Sequence, residues 1–177
     1  MANRRIRSTL ALAVSLLLVM GLAASASADP GSRPFKGSVS GAVTFVEVST
    51  SVCPPGGLFW GGLRTESSAA GTASHLGRTV MTSQHCTPVG DLITGGTMTL
   101  VSASGDAVYI EYAGSAPFPV PGVTTVIVVD FDFVIVGGTG RFVGATGGGT
   151  MTAHVVFEGF GDPVWAASWT WNGTIGY

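Results

Sequence analysis

From residue 37 onwards, apolar stretches of strand length recur, and glycine, proline or aspartate separates each from the next. This spacing is typical of many short strands joined by tight turns. Long helices are disfavoured, because the Glu, Lys, Leu and Arg residues that usually form their surface are scarce after residue 30. The spacing predicts strands over residues 37–49, 66–76, 78–87, 92–103, 106–114, 122–137, 141–159 and 164–177.

The alternation of side chains indicates how these strands are buried. In residues 125–136 one face carries Ile127, Val129, Phe131, Phe133 and Ile135, and the other carries Asp130 and Asp132 among valines. Strands with one bulky apolar face can close into a barrel that leaves no open edge. We predict an all-β fold, a single eight-stranded antiparallel closed barrel. A β-sandwich is the alternative, because periodicity does not show whether a sheet closes.

Composition excludes several other classes of protein. Only 10% of the residues are charged, against roughly 25% in typical soluble domains, while 46% are hydrophobic, which excludes a disordered chain. With 8 Lys and Arg in all, the chain lacks the basic surface that binding to nucleic acid requires. The 27 glycines follow no triplet period, so a collagen-like structure is excluded too.

The N-terminus has the order of a secretory signal peptide. Arg4, Arg5 and Arg7 precede an apolar run over residues 10–24, and an Ala-Ser-Ala site ends at Ala28. The run is short for a membrane span, although a retained anchor is the alternative. Cleavage after Ala28 removes three basic and no acidic residues, which leaves five basic residues against ten acidic.

These features predict the division of the chain and its destination. Residues 1–28 form the signal peptide, residues 29–36 a short leader and residues 37–177 the barrel domain. We expect a secreted protein with no membrane association in its mature form. The acidic balance disfavours anionic partners, nucleic acid included. The export route, general secretory or twin-arginine, and the oligomeric state stay open.

Two cysteines, Cys53 and Cys86, are predicted to form a disulfide, as an even number usually does in an exported protein. The alternatives are a zinc pair or a catalytic thiol, because His85 adjoins Cys86. The other histidines, His75 and His154, lie far apart in the sequence without a metal-ligand spacing. We therefore predict neither a metal site nor a cofactor.

The most distinctive string, Gly-Gly-Thr-Gly-Arg-Phe-Val-Gly-Ala at residues 137–145, resembles a turn of allene oxide cyclase-like and dirigent-like proteins. Residues 71–78 and 173–175 resemble a hairpin and the closing strand of bacterial secreted members of that superfamily. A nucleotide-binding loop is disfavoured, because strand-like sequence rather than a helix follows the string. We assign structural turns to Gly71, His75, Gly77, Arg78, Gly137, Gly138, Gly140, Arg141 and Gly144.

The resemblance implies an eight-stranded barrel with a hydrophobic cavity. The plant members are a cyclase of lipid metabolism and proteins that direct phenolic radical coupling. A small apolar or phenolic ligand is therefore expected in the barrel or at its mouth. We assign ligand contacts to Phe59 and Trp60 in the loop after Cys53, and to Phe131 and Phe133. A cyclase or isomerase acting in the lumen, or a solid structural barrel whose Cys53 loop contacts a partner, are the alternatives.

Catalysis would need a polar group inside the barrel. Asp130 and Asp132 share one strand face, as do Glu111 and Tyr109. If these faces meet solvent, the residues only add solubility. If they line the lumen, a carboxylate with a raised pKa could act as an acid or base. These four residues are the catalytic candidates.

Overall fold

The computed structural model describes residues 31–55, 61–87 and 92–177. Its strands form a closed antiparallel barrel in which each strand pairs with the next and β8 returns to pair with β1. The barrel confirms the predicted fold class and excludes the sandwich. The strands are β1 (Arg33–Glu47), β2 (Leu63–Ala73), β3 (Gly77–Cys86), β4 (Leu92–Ser102), β5 (Ala107–Ser115), β6 (Val126–Gly138), β7 (Thr146–Val156) and β8 (Val164–Gly176).

The seam between β1 and β8 closes the barrel. Its register runs from Arg33 opposite Ile175 to Thr44 opposite Val164 without a shift. Within it, Gly37 lies opposite Trp171, and a Cβ atom on Gly37 would stand 2.1 Å from the indole ring. The glycine therefore gives the large ring room to lie across the neighbouring strand.

Three strands begin four or more residues away from the predicted position. β1 begins at Arg33, four residues before the predicted start. β6 begins at Val126 rather than residue 122, because residues 120–124 form a hydrogen-bonded turn in which Gly122 adopts φ 74°. β7 begins at Thr146 rather than residue 141, because a 3₁₀ turn over Gly140–Phe142 occupies its predicted start.

The alternation predicted for residues 125–136 is present. Along β6 the odd-numbered residues from Ile127 to Ile135 are buried, and the even-numbered residues between them are exposed. Trp165, Trp169 and Trp171 of β8 are also buried, each at most 5% exposed. The tryptophans thus belong to the barrel core and form no exposed aromatic surface.

One end of the barrel, here called the closed end, is filled by side chains. It contains the turns after β2, β4 and β6. A hydrogen bond and an ion pair join these turns: the Arg141 side chain donates a hydrogen bond to the carbonyl oxygen of His75 and pairs with Asp106 at 3.5 Å. The buried residues that fill this end are Phe35, Leu76, Met81, Leu100, Val108, Phe142 and Ile175.

The residues assigned to turns fall in two groups. His75, at φ 67°, and Gly77, at φ 68°, adopt the left-handed conformation around the β2–β3 turn. Gly71 instead lies within β2, where a Cβ atom would stand 2.1 Å from the Ser38 carbonyl oxygen of β1. Close backbone approach, rather than a turn, is therefore the reason for glycine at position 71. Arg78 likewise lies in β3 rather than in the turn.

The remaining assigned residues surround the β6–β7 connection. Gly137 and Gly138 end β6, and Arg141 lies in the 3₁₀ turn. Gly140 and Gly144 adopt positive φ values of 57° and 75°, which favour glycine. This connection is a short turn of 3₁₀ helix between two strands, longer than the tight corner that the sequence suggests.

Longer connections, whose described residues are 48–55, 61–62, 116–125 and 157–163, lie at the opposite end, here called the open end. Cys53 and Cys86 form the predicted disulfide there, with Cα atoms 5.3 Å apart. The disulfide joins the first of these connections to the end of β3. In the described part of the chain, no helix has the length and apolarity needed to cross a membrane.

Candidate functional site

A cavity of about 70 Å³ occupies the lumen on the side of the open end. An engineered apolar cavity of about 150 Å³ holds one benzene molecule, so this cavity has roughly half the volume that a six-carbon ring occupies. Ala116 and Pro117, which follow β5, line it where it approaches the open end. A ligand of more than a few heavy atoms must therefore extend towards that end.

One wall of the cavity is apolar. It is built by the inward faces of β6, β7, β8 and β1, on which large and small side chains alternate. Ala153, opposite Trp169 in the β7–β8 pairing, leaves space that a larger residue would fill. The apolar lining consists of Val43, Phe45, Ile127, Val129, Phe131, Met151, Ala153, Val155 and Trp169.

The facing wall is polar and belongs mainly to β2 and β3. Ser67 lies opposite Ser83 in the strand register, and Thr65 lies opposite His85. Thr65 also exchanges a hydrogen bond with Thr87, which follows β3. These hydroxyl groups are buried, so they form a band of hydrogen-bonding groups inside an otherwise apolar barrel. The cavity is therefore amphipathic from side to side.

His85 and Tyr112 are the titratable residues of this wall. The Nδ1 atom of His85 lies 2.8 Å from the Tyr112 hydroxyl oxygen, within hydrogen-bond distance, and the two rings meet edge to face at 5.7 Å. Burial lowers the pKa of His85 from 6.5 to about 4. Burial also raises the pKa of Tyr112 to about 12, against the opposing effect of a hydrogen bond with Ser83. Both residues are therefore uncharged at neutral pH.

Gly96 of β4 allows Tyr112 to reach this position. The two residues lie opposite each other, next to a register shift between Ile93 and Gly96. A Cβ atom on Gly96 would stand 2.3 Å from Cε2 of the Tyr112 ring. Any larger residue at position 96 must displace the ring, so this glycine positions the phenol against His85.

The disulfide links the described residues of the β1–β2 connection, 48–55 and 61–62, to the end of β3. The Gly62 amide donates to the Cys53 carbonyl oxygen at 2.7 Å, and the Val48 amide donates to the Gly62 carbonyl oxygen at 2.8 Å. Because Cys86 directly follows His85, the covalent link also restrains the end of β3 that carries the histidine. The Cys53–Cys86 bond thus restrains both the connection after β1 and the part of β3 that contributes to the polar wall.

Aromatic rings continue from the cavity wall to the surface. Phe45 contacts Trp165 at 4.5 Å between ring centroids, and Trp165 contacts Phe157 at 5.1 Å. Phe157 in turn contacts Phe160 at 5.2 Å, and Phe160 lies 5.8 Å from Phe118. The last two rings are 58% and 50% exposed. They give the open end an apolar rim.

All four catalytic candidates lie on the outer surface of the barrel. Asp130 and Asp132 are exposed on β6, and Glu111 and Tyr109 are exposed on β5. Asp130 accepts a hydrogen bond from Thr152 at 2.7 Å, a contact between neighbouring strands. These four residues therefore do not line the lumen, which is where they would have to lie to act there as an acid or base.

Of the residues predicted to contact a ligand, the structure places one in the cavity lining. Phe131 lines the cavity and lies 5.2 Å from Tyr112 between ring centroids. Phe133 is also inward, but it packs edge to face against Phe35 at 6.2 Å, deeper in the barrel and away from the cavity lining. Phe59 and Trp60 lie outside the described residues.

Sequence reasoning missed the polar wall. His85 was considered only with Cys86 or as a metal ligand, and Tyr112 and Ser83 were not considered. In the described residues, no group of three His, Cys, Asp or Glu side chains is placed to hold a metal ion. Alternation along 79–87 offers no clear signal, because Val80 and Met81 place one apolar residue on each face of the strand.

Acidification is expected to destabilise the fold through His85. The unfolded residue binds a proton near pH 6.5, whereas the folded one does so only near pH 4. The free energy of unfolding should therefore fall by about 2 kcal/mol between pH 6.5 and 4, with the partial solvent access of His85 allowed for.

Urea denaturation at a series of pH values measures this effect. His85→Gln should flatten the curve in that window, because its side chain takes up no proton. His154→Gln, an exposed site on β7, is the matched control and should keep the wild-type slope. Equal slopes in all three proteins would contradict the assignment.

Comparison with known proteins adds no relative to this description. No family model matches the chain, and neither a curated protein nor a solved structure is similar to it at a significant level.

Proposed function

We propose that the protein is an exported barrel that binds a small, mainly apolar ligand at the open end of its lumen. The observation that carries this proposal is the amphipathic cavity, which has apolar side chains of β6, β7, β8 and β1 on one wall and polar side chains of β2 and β3 on the other. Small barrels commonly hold one ligand in this way, in a concave site with few polar groups. The exposed rings of Phe118 and Phe160 extend the apolar surface outwards.

Binding is favoured over acid–base catalysis by the charge states in the cavity. An efficient general acid or base has a pKa near the working pH. Burial moves the pKa of His85 to about 4 and that of Tyr112 to about 12, both away from neutrality. These residues suit hydrogen bonding better than proton transfer.

Export is supported by the order of residues at the N-terminus and by the disulfide. Disulfides persist in oxidising compartments and are rare in the cytosol. The Cys53–Cys86 bond is in keeping with such a destination. The proposed place of action is therefore outside the cell, after removal of residues 1–28.

A cavity-filling variant tests the proposal. Ala153→Leu adds three carbon atoms to the apolar wall, whereas Ala166→Leu adds them to the exposed face of β8. We expect methylenecyclopentane, a compact hydrocarbon, to shift the NMR signals of the Phe131 and Met151 side chains in the wild type and in Ala166→Leu. Ala153→Leu should weaken that binding at least tenfold.

Mass spectrometry of organic extracts from the secreted protein complements the titration. A small molecule recovered at one per barrel would support binding. The proposal fails if no apolar probe shifts the cavity signals at saturation, or if Ala153→Leu binds as tightly as the wild type.

A further inference from the structure

The polar wall carries information about the ligand that the apolar wall does not. It contains Ser83, His85 and Tyr112, joined by hydrogen bonds. A barrel that only stored hydrocarbon would gain nothing from buried hydroxyl and imidazole groups, since their burial costs free energy unless each finds a partner. The wall is therefore the part of the site that can select among apolar molecules.

The direction of the hydrogen bond between Tyr112 and His85 follows from the acidity of the two groups. A phenol hydroxyl is a stronger acid than a neutral imidazole N–H, and the unprotonated imidazole nitrogen is the better acceptor. The Tyr112 hydroxyl then donates to Nδ1 of His85. A neutral imidazole that accepts at Nδ1 carries its proton on Nε2. The histidine therefore offers the cavity an N–H donor.

The cavity offers no compensation for charge. None of the described residues that line it is Lys, Arg, Asp or Glu. A carboxylate placed there would lose its hydration without gaining a counterion, which costs far more than the burial of a neutral oxygen. An ammonium group would lack a partner carboxylate for the same reason.

We propose that the ligand is uncharged and carries an acceptor oxygen, such as a carbonyl, that faces His85 and Tyr112, while its apolar part contacts Phe131. The inference rests on the proposed function, because it assigns the ligand class to the same cavity. The oxygen accepts from the imidazole N–H, and the hydrocarbon part lies against β6 and β7. Gly96 has a positioning role, since it lets Tyr112 hold the imidazole in place.

Four cyclopentane derivatives test the inference on the full secreted protein. Methylenecyclopentane and cyclopentanone have the same shape and differ in the acceptor oxygen. Cyclopentanecarboxamide and cyclopentanecarboxylate also match in shape and differ in charge. Dissociation constants are measured at pH 7 by NMR titration for the wild type, Tyr112→Phe and His85→Leu, with Tyr109→Phe on the outer face of β5 as the control.

The expected result is selective. Tyr112→Phe and His85→Leu should lower the affinity for cyclopentanone relative to that for methylenecyclopentane about three- to tenfold, the effect of one hydrogen bond. Tyr109→Phe should change neither. The carboxamide should bind at least tenfold more tightly than the carboxylate.

The contrary outcomes are distinguishable. If the hydrocarbon binds but the variants do not affect the ketone, or the carboxylate binds as well as the carboxamide, the inferred ligand class is wrong and the proposed function stands. If no derivative binds, both fail. Because Tyr112→Phe keeps the ring over Gly96, it provides a folded variant even if His85→Leu does not fold.

Discussion

Replacing Cys53 and Cys86 together by serine is expected to lower the free energy of unfolding by about 3–4 kcal/mol. The bond spans a sequence separation of 33 residues, and the chain-entropy model assigns a stabilisation of this size to a loop of that length. Because folded domains are stable by about 5–15 kcal/mol, the loss would remove a large part of the margin.

Removal of the disulfide should loosen the structure only near the open end. Amide exchange should accelerate in residues 48–55 and at the end of β3, while Leu100 and Val108 near the closed end keep their protection. Reduction of the wild-type protein is the control, since it should reproduce the stability loss and have no effect on the double variant. A change below about 1 kcal/mol in urea denaturation would contradict the prediction.

Replacing Phe35 by alanine is expected to cost about 3–5 kcal/mol, the range found for buried phenylalanines. Phe35 is fully buried and contacts Phe133 at 6.2 Å and Trp171 at 6.1 Å between ring centroids. Its removal leaves a void among large rings at the closed end, where the barrel backbone cannot collapse to fill it.

Phe118→Ala removes the same atoms from the rim and is the matched control. Phe118 is 50% exposed, so its replacement should change the free energy of unfolding by less than about 1 kcal/mol. Phe35→Leu, which keeps most of the volume, should fall between the two and provides a folded variant. Similar losses for Phe35→Ala and Phe118→Ala would contradict the view that the closed end carries the core.

The fold was predictable because β6 and β8 have strong alternation. Isoleucine and phenylalanine at one parity of β6, with aspartates at the other, leave a single way to orient the strand. β3 is different. Its inward residues include Ser83 and His85, and its outward residues include Thr82 and Gln84, so hydrophobicity does not distinguish its faces. Only closure of the barrel brings the polar face of β3 into the lumen.

The cavity could not be predicted for another reason. Its volume is the part of the lumen that the inward side chains leave free, and that volume depends on the orientation of each aromatic ring. Phe131 and Phe133 are equivalent in the sequence, two residues apart on one face, yet one lines the cavity and the other packs against Phe35. Tyr112 reaches His85 only because position 96 carries no side chain.

β1 and β8 pair along the seam, so that the start of β1 and the end of β8 meet at the closed end. There Arg33 donates a hydrogen bond to the Tyr177 hydroxyl at 3.1 Å. Any tether joined before Arg33 or after Tyr177 would therefore emerge on the side away from the cavity. A barrel immobilised through either position would present its open end outwards, with the cavity side unobstructed. The same proximity would let a short linker join the two positions and a new chain start be cut elsewhere, without disturbing the half that contains the cavity.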